Sequence, residues 1–254
     1  MDKLIHLLNS IKSEIQDPYE LAYFIRHRYR YHYILKKIDH LNLPKNARIL
    51  DVGCYPLHMF TMMSRQGFAV CGISSKHEPV HHTSIKTVNI ESGKMPFRNK
   101  FFDLILFSEV MEHLVINPLV YLSEFRRVLK KNGRLIVTTP NAAGLHKIFP
   151  LLFGRSTYFP LEDLYKTGFK DDTIYYRHNR EYTMSELHEI MNKAKFKIIH
   201  NYFFEAYQSY RHVEVGGQPV RAVFRLFSWY VAKVIPRLRD TLYIGAGYEE
   251  PWTN

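Results

Sequence analysis

The stretch from Ala47 to Phe60, ARILDVGCYPLHMF, constrains the fold of this chain more than any other part of the sequence. A short apolar run ends at the break formed by residues 53–56, which is the pattern of a strand buried on both faces of a parallel sheet. Asp51 lies in this run, where a carboxylate costs free energy unless it faces a ligand or finds hydrogen-bond donors. The stretch therefore predicts a strand, a turn and a helix, with a ligand site at that edge of the sheet. The alternative is an ordinary strand-to-helix turn with a capping aspartate.

Strands and helices alternate from residue 47 onwards, which predicts an α/β fold with a mostly parallel, doubly wound sheet and helices on both faces. Two further helices are expected before the sheet, near residues 3–15 and 18–41. The strands are expected near residues 48–52, 69–74, 85–89, 102–108, 133–139, 196–204 and 241–246. The helices between them are expected near residues 57–66, 117–130, 141–151 and 183–194.

The length of 254 residues and the hydrophobic content of 46% fit one α/β domain with added helices. We place an N-terminal helical cap at residues 1–44 and the main domain at residues 45–254. Residues 152–180 are irregular and rich in aromatic and charged side chains, so a lid or substrate loop is expected there. Residues 219–239 are expected to form a basic amphipathic helix.

The net charge of +11 favours an anionic partner, such as a phosphorylated metabolite, a nucleotide-sugar, a nucleic acid or an acidic membrane surface. Basic and aromatic residues are mixed in two segments, Arg26 to Lys37 and Arg221 to Arg239. For the first segment we favour a solvated helix face over a substrate-binding surface. For the second we favour a helix that covers the sheet over contact with a membrane near a lipid-linked glycan.

The two cysteines, Cys54 and Cys71, are expected to be reduced thiols, because nothing in their spacing indicates a disulfide framework or a metal knuckle. The N-terminal segment is interpreted as an amphipathic helix rather than a signal peptide, and no apolar run reaches the length needed to span a bilayer. We therefore expect a cytoplasmic protein, with peripheral membrane contact as a further option.

A second informative stretch is Phe101 to Leu114, FFDLILFSEVMEHL, in which a strand delivers Ser108 and Glu109 to the carboxyl edge of the sheet. If a helical turn begins there, Glu109, Glu112 and His113 have the i, i+3, i+4 spacing and share one face. Two carboxylates and an imidazole suit a general base or a hard divalent cation. The alternative is that Glu109 caps or binds a ligand, Glu112 is solvated and His113 is a core histidine.

The order of ILDVGC, ESGKMPF, FFDLILFSEVMEHL, GRLIVTTPN and REYTMSELHEIMNKAKF resembles the class I methyltransferases that use S-adenosylmethionine, over about residues 45–205. The resemblance implies a seven-stranded, Rossmann-like sheet with a reversed last hairpin. It also implies that S-adenosylmethionine lies across the carboxyl ends of the first strands. Carboxylates and carbonyl oxygens at strand ends can bind the cationic sulfonium and the amino group of such a ligand.

The same resemblance implies the cofactor-binding residues. Asp51 and Gly53 would form the loop near the methionine part, and the Ser108 carbonyl would meet the amino group. Tyr55 stands where the family usually has a further glycine, and Ser74 where it usually has an acid that holds the ribose. A serine bonds a ribose hydroxyl more weakly than a carboxylate does. The complete predicted set is Asp51, Gly53, Tyr55, Ser74, Glu91, Met95 and Ser108, with Glu91 and Met95 on the adenine side.

The ExxEH element followed by a later histidine resembles the metal-dependent O-methyltransferases of small-RNA 3′ ends and, more loosely, those of ubiquinone synthesis. The matching positions are Glu109, Glu112, His113 and His178. The resemblance implies that these residues hold Mg²⁺ or Mn²⁺, which would bind a substrate hydroxyl and lower its pKa. Without a metal, His113 or His178 is the expected general base. The predicted catalytic residues are therefore Glu112, His113 and His178.

Three functions remain open from the sequence. The first is O-methylation of a sugar, glycan or other small hydroxylated acceptor that is anionic or linked to a lipid or nucleotide. The C-terminal segment supports it, because it resembles the tails of methyltransferases encoded with glycan and cell-surface polysaccharide enzymes. The second is 2′-O-methylation of the terminal ribose of RNA, although no separate RNA-binding module is recognisable. The third is a non-catalytic binding protein that keeps the fold.

Overall fold

A computed structural model describes residues 3–74, 82–157, 177–206 and 230–248 of the chain. Its strands are β1 (Arg48–Val52), β2 (Ala69–Ser74), β3 (Ile85–Thr87), β4 (Phe102–Ser108), β5 (Leu129–Pro140), β6 (Phe196–Phe204) and β7 (Thr241–Tyr248). Its main helices are α1 (Lys3–Glu14), α2 (Pro18–Asp39), α3 (His58–Arg65), α4 (Pro118–Val128), α5 (Leu145–Leu152) and α6 (Met184–Lys193).

The seven strands form one sheet in the order β3-β2-β1-β4-β5-β7-β6. The first five strands pair in parallel, whereas β7 runs antiparallel to both β5 and β6. The predicted seven-stranded, mostly parallel sheet with a reversed hairpin is thus confirmed. The register pairs Val52 with Phe107 and Ser108 with Thr138, so the carboxyl ends of β1, β4 and β5 meet at one edge of the sheet.

Each central strand buries side chains on both faces of the sheet, because successive side chains point in opposite directions. Ile105 and Phe107 of β4 pack into one hydrophobic cluster, together with buried residues of α4 and α6. Leu104 and Leu106 pack into a second cluster with residues of α1, α2 and α3. Helices therefore cover both faces, as the alternating sequence pattern predicts.

The first residues of α2 and α6 are determined by side chains that cap each helix from the preceding residue. The Asp17 side chain accepts a hydrogen bond from the Glu20 backbone N–H, and Thr183 forms a capping box with Glu186, as predicted. The helix expected near 141–151 begins only at Leu145, because the Gly144 N–H closes a turn onto the Asn141 carbonyl. Strand β5 begins at Leu129 rather than near 133. Apart from the predicted helix at 219–239, the other described boundaries differ from the predicted ones by two residues or fewer.

The preference for a solvated face on α2 is wrong for the middle of this helix. His27, Arg30 and Tyr31 are buried, because this turn of α2 packs between α3 and the sheet. The Tyr31 hydroxyl lies 3.2 Å from Nδ1 of His58, the first residue of α3. The N-terminal helices therefore contribute polar side chains to the interior as well as apolar ones.

Several expectations lie partly outside the described residues. The expected lid at 152–180 includes residues 158–176, and the expected helix at 219–239 includes residues 219–229. The described remainder of that helix ends before the short turn Pro236–Leu238, because proline disfavours helical backbone in the residue before it. The division at residue 44 stays a prediction. Among the helices described here, none combines the length and apolarity needed to cross a membrane.

Candidate active site

Asp51 is buried near the carboxyl end of β1, with 4% of its surface exposed. One carboxylate oxygen, Oδ2, has no hydrogen-bond partner among the described residues. Burial raises the pKa of Asp51 to about 7, because the low-dielectric surroundings disfavour the charged form. An ionised carboxylate at this position calls for a cationic partner.

Gly53 forms the turn after β1 and has a φ of +76°, a conformation that side chains disfavour. A Cβ atom at this position would lie only 2.4 Å from Cγ2 of Val110, in the segment that follows β4. Glycine is required here for two reasons, its backbone conformation and its close approach to Val110. The turn after β1 is therefore packed directly against the turn after β4.

Replacement of Gly53 by Ala is expected to destabilise the fold by about 2–4 kcal/mol, since left-handed backbone and overpacking each cost on the order of 1–2 kcal/mol. Gly67→Ala is the matched control, because Gly67 has a φ of +92° and nothing within 4 Å of the added Cβ. The measurement is the free energy of unfolding from denaturant titration. Equal losses for the two variants would show that contact with Val110 has no energetic role.

Glu109 follows β4 with a φ of +55°, in the left-handed region of backbone conformation. Its Oε1 accepts a hydrogen bond from Thr138 (2.9 Å), and its Oε2 lies 3.4 Å from Nη1 of Arg30. The side chains of Glu109 and Arg30 are only 8% and 6% exposed, so this ion pair is buried. Glu109 is therefore engaged by the N-terminal helix α2.

Arg30 is a site residue that the sequence interpretation missed. A signal for its burial was present, because Arg30 stands four residues before Ile34 and eight before Ile38. Residues at this spacing share one helix face, and both isoleucines are buried. A cation on an apolar helix face predicts a buried acidic partner.

Glu112 is 1% exposed and lies in a short turn, Met111–His113. Its Oε2 accepts a hydrogen bond from the Thr139 hydroxyl (2.9 Å), and its Oε1 has no hydrogen-bond partner among the described residues. Burial, followed by the nearby charge of Glu109, raises the pKa of Glu112 well above its ordinary value. The alternative of a solvated Glu112 is wrong.

His113 and His178 lie beside Glu112, with ring centroids 4.9 Å apart. Nδ1 of His113 is 3.1 Å from the Arg177 carbonyl oxygen, which can only accept, so we infer that the neutral ring carries its proton on Nδ1. Its Nε2 lies 3.9 Å from Oε1 of Glu112. Both the carboxylate and the imidazoles can therefore serve as bases or as ligands.

Glu112, His113 and His178 each offer a ligand atom, and these atoms lie within 4.8 Å of one another. Glu109 does not belong to this group. The expected helical turn from 109 does not form, because Glu109 has left-handed backbone and the short turn begins only at Met111. The structure thus brings together three of the four predicted metal ligands.

The segment that carries His178 is held by its backbone. The Asn179 N–H donates to the Glu112 carbonyl (2.7 Å), and the Asn179 side chain donates to the His113 carbonyl (2.6 Å). Further along, the Ala142 N–H donates to the Tyr182 carbonyl (3.0 Å). These bonds fix the segment across the ends of β4 and β5, so His178 reaches a residue 65 positions earlier in the chain.

A family model described as a methyltransferase domain matches residues 25–201. The chain belongs to this methyltransferase domain family. The predicted resemblance to class I methyltransferases is thereby confirmed.

The methyltransferase domain has curated relatives and solved structural neighbours. The ubiquinone biosynthesis O-methyltransferase of Pelagibacter ubique is 31% identical over 140 residues, covering 50% of this chain and 58% of the relative. The chain thus spans little more than half the length of that relative.

A methyltransferase structure from Archaeoglobus fulgidus matches with a TM-score of 0.56 and 16% identity, over 91% of this chain and 99% of that one. A methyltransferase from Thermotoga maritima matches with a TM-score of 0.56 and 17% identity, over 96% and 99%. At these identities the two structures show a shared fold.

Two predicted adenine-side residues of the methyltransferase domain have structural roles. The Glu91 carboxylate accepts hydrogen bonds from the backbone N–H groups of Val115 (2.6 Å) and Ile116 (3.1 Å). It therefore ties the start of the Ile90–Ser92 turn to the loop before α4. Met95 is 2% exposed and packs in the hydrophobic cluster beneath α4. A cofactor role of Glu91 or Met95 stays a prediction.

The remaining predicted cofactor residues lie around the carboxyl edge of the sheet. The Ser108 hydroxyl is 2.8 Å from the Thr138 hydroxyl, which also contacts Glu109. Ser74 is buried at the end of β2, and Tyr55 is 46% exposed in the turn after β1. Ser74 and Ser108 thus stand at strand ends, as the family pattern implies, and their contacts with the cofactor stay predictions.

Proposed function

We propose that this methyltransferase domain transfers a methyl group from S-adenosylmethionine to a hydroxyl oxygen of a small acceptor, such as a sugar or glycan. The observation that supports this proposal best is the group of Glu112, His113 and His178 at the carboxyl edge of the sheet. A hydroxyl is a poor nucleophile until its proton is removed, and these three side chains are proton acceptors.

Asp51 and Gly53 fit the cofactor. S-Adenosylmethionine carries an ammonium and a sulfonium, and the buried Asp51 oxygen without a partner is a suitable counter-charge. Gly53 allows the left-handed turn that follows β1 beside Asp51. When bound, S-adenosylmethionine supplies the electrophilic methyl group.

On the acceptor side, either histidine could take the hydroxyl proton at Nε2. The same three residues also fit a divalent cation, since imidazole nitrogens and a carboxylate oxygen are common metal ligands. Glu112, His113 and His178 would hold Mn²⁺ more readily than Mg²⁺, which takes oxygen ligands, and either ion would lower the pKa of an acceptor hydroxyl. The acceptor is a hydroxyl group in both cases, whether a histidine takes its proton or a metal ion lowers its pKa.

A phenolic acceptor with an apolar part is the second candidate. Several curated relatives are named ubiquinone biosynthesis O-methyltransferases, which supports oxygen as the methylated atom. Helix α5, which follows β5 at the same edge, has no buried residue, and Leu151, Leu152 and Phe153 are 54%, 74% and 67% exposed. An apolar surface of this kind beside the site favours an acceptor with an apolar part.

Calorimetric titration with S-adenosylmethionine and S-adenosylhomocysteine, with and without Mg²⁺ or Mn²⁺, tests the proposal first. We expect both ligands to bind. Methyl transfer is then measured on sugars and glycans, on phenols with and without a prenyl chain, and on short RNA with a free 3′ ribose. Failure of the folded protein to bind either ligand would contradict the proposal and favour the non-catalytic alternative.

A further inference from the structure

The Glu181 carboxylate lies between an imidazole ring and a lysine ammonium group from different parts of the chain. Its Oε1 is 2.6 Å from Nδ1 of His178 and 2.7 Å from Nζ of Lys147, which belongs to α5. The Glu181 side chain is 15% exposed, and its bond to Lys147 is partly buried. Nζ of Lys147 also donates to the Thr157 carbonyl (3.2 Å), which holds the lysine from its other side.

These contacts determine which nitrogen of His178 carries the proton. A carboxylate only accepts hydrogen bonds, so the neutral ring must donate from Nδ1, and the lone pair is then on Nε2. The His178 side chain is 39% exposed. Nδ1 of His113 is bound in the same way by the Arg177 carbonyl. Both neutral imidazoles therefore carry the lone pair on Nε2, and Nε2 of His113 lies 3.9 Å from Oε1 of Glu112.

We propose that Glu181 is a positioning residue, which fixes the tautomer and orientation of His178 for its role in the proposed methyl transfer. Lys147 keeps the Glu181 carboxylate in place. The proposal rests on the proposed function, because it gives His178 a part in that reaction. It requires no contact between Glu181 and the acceptor, and it applies whether His178 accepts a proton or binds a metal. A carboxylate behind a ligating or basic imidazole is a recurrent arrangement of this kind.

Glu181→Leu and Glu181→Gln form the test pair. Leucine removes the acceptor at similar size, whereas glutamine keeps an acceptor oxygen and loses only the charge. We expect kcat of Glu181→Leu to fall about 10–100-fold, with S-adenosylmethionine affinity unchanged, and Glu181→Gln to recover part of the loss. Glu189→Leu is the control, since Glu189 also pairs with a lysine, Lys193, but is 64% exposed and lies outside the site. Thermal unfolding of each variant shows whether it is folded.

Nitrogen-15 NMR of labelled histidine rings gives a readout that a purely structural role would not change. The His178 signals are assigned with His178→Asn. We expect the Nδ1–H tautomer in the unaltered protein and in Glu181→Gln, and a mixture of both tautomers in Glu181→Leu. An unchanged tautomer in Glu181→Leu would overturn the proposal, whatever the kcat of this variant.

The NMR measurement needs neither acceptor nor cofactor, so it separates this proposal from the proposed function. If no acceptor is methylated but the tautomer depends on Glu181, the proposed function fails and the positioning of the ring stands. If methylation proceeds and the tautomer does not depend on Glu181, the proposed function stands and the positioning role of Glu181 fails. Titration with Mn²⁺ alone adds a third readout: where the unaltered protein binds Mn²⁺, Glu181→Leu should weaken binding about 10–100-fold.

Discussion

Replacement of Glu112 by Gln is expected to lower kcat by about 10²–10⁴-fold, the range typical for loss of a group that moves a proton or holds a catalytic ion. Glu112 is the most buried member of the group with His113 and His178, and its Oε1 has no competing hydrogen bond among the described residues. Glutamine keeps the size and the contact with Thr139 but can neither accept a proton nor carry a charge. Affinity for S-adenosylmethionine should be unchanged.

The same substitution should not reduce stability. Burial places the pKa of Glu112 in the folded chain well above its ordinary value of 4.5, so ionisation costs folding free energy once the pH rises above that value. A neutral glutamine avoids this cost, and we expect an equal or higher melting temperature at neutral pH. Glu189→Gln, at an exposed position, is the control and should alter neither kcat nor stability.

The turnover of the Glu112→Gln variant decides whether Glu112 takes part in the reaction. A variant with normal kcat would exclude Glu112 from the reaction, whatever its stability. His113→Ala should show the same loss of turnover, because His113 lies 3.9 Å from Glu112 and presents Nε2 to it. Unchanged turnover in both variants would remove this group from the mechanism.

Replacement of Asp51 by Asn is expected to weaken S-adenosylmethionine binding by about 2 kcal/mol, or about 30-fold in Kd, since the hydrogen bond to a charged group is lost. Calorimetric titration measures this change. Preserved affinity would mean that Asp51 does not face the cofactor. Ser84→Ala at a half-buried position beside β3 is a control that should leave Kd unchanged.

The pH dependence of binding provides an independent check on Asp51. Its pKa of about 7 in the folded chain means that the carboxylate is largely protonated at pH 5 and must ionise to receive a cation. Affinity in the unaltered protein should therefore rise from about pH 5 to about pH 8 and then level off, whereas Asp51→Asn should show no such rise. Burial also raises the pKa of the neighbouring Cys54 to about 12 and raises that of Tyr31, so neither ionises in this range.

S-Adenosylhomocysteine shows which cationic group of the cofactor Asp51 meets, because this product keeps the ammonium and lacks the sulfonium. If its affinity depends on pH as that of S-adenosylmethionine does, Asp51 meets the ammonium. If only S-adenosylmethionine shows the dependence, Asp51 meets the sulfonium. Absence of pH dependence for both ligands would contradict the placement of the cofactor at Asp51.

Much of the architecture was predictable from local patterns. The apolar run at 48–52 identifies a buried strand because side chains alternate between two covered faces. The caps at Asp17 and Thr183 identify helix starts, because their side chains satisfy backbone N–H groups within three residues. Asp51 was predictable as a site candidate for the same reason, since a carboxylate within such a strand needs a partner.

The sequence by itself determined the seven-stranded sheet with a reversed last hairpin, which the family resemblance implies, the glycine turn at Gly53 and the residues of the Glu112-His113 pair. Only the tertiary structure decided that Arg30 is paired with Glu109 and that His178 lies beside His113 with Glu181 behind it. These contacts join residues far apart in the chain, where helical or strand spacing carries no information. Glu109 lies outside the group of predicted metal ligands because its own backbone turns left-handed at the end of β4, and Arg30 becomes buried because α2 packs on the sheet. Helical spacing indicates that Arg30 is buried, but which acidic residue it meets depends on packing between elements, which no local pattern contains.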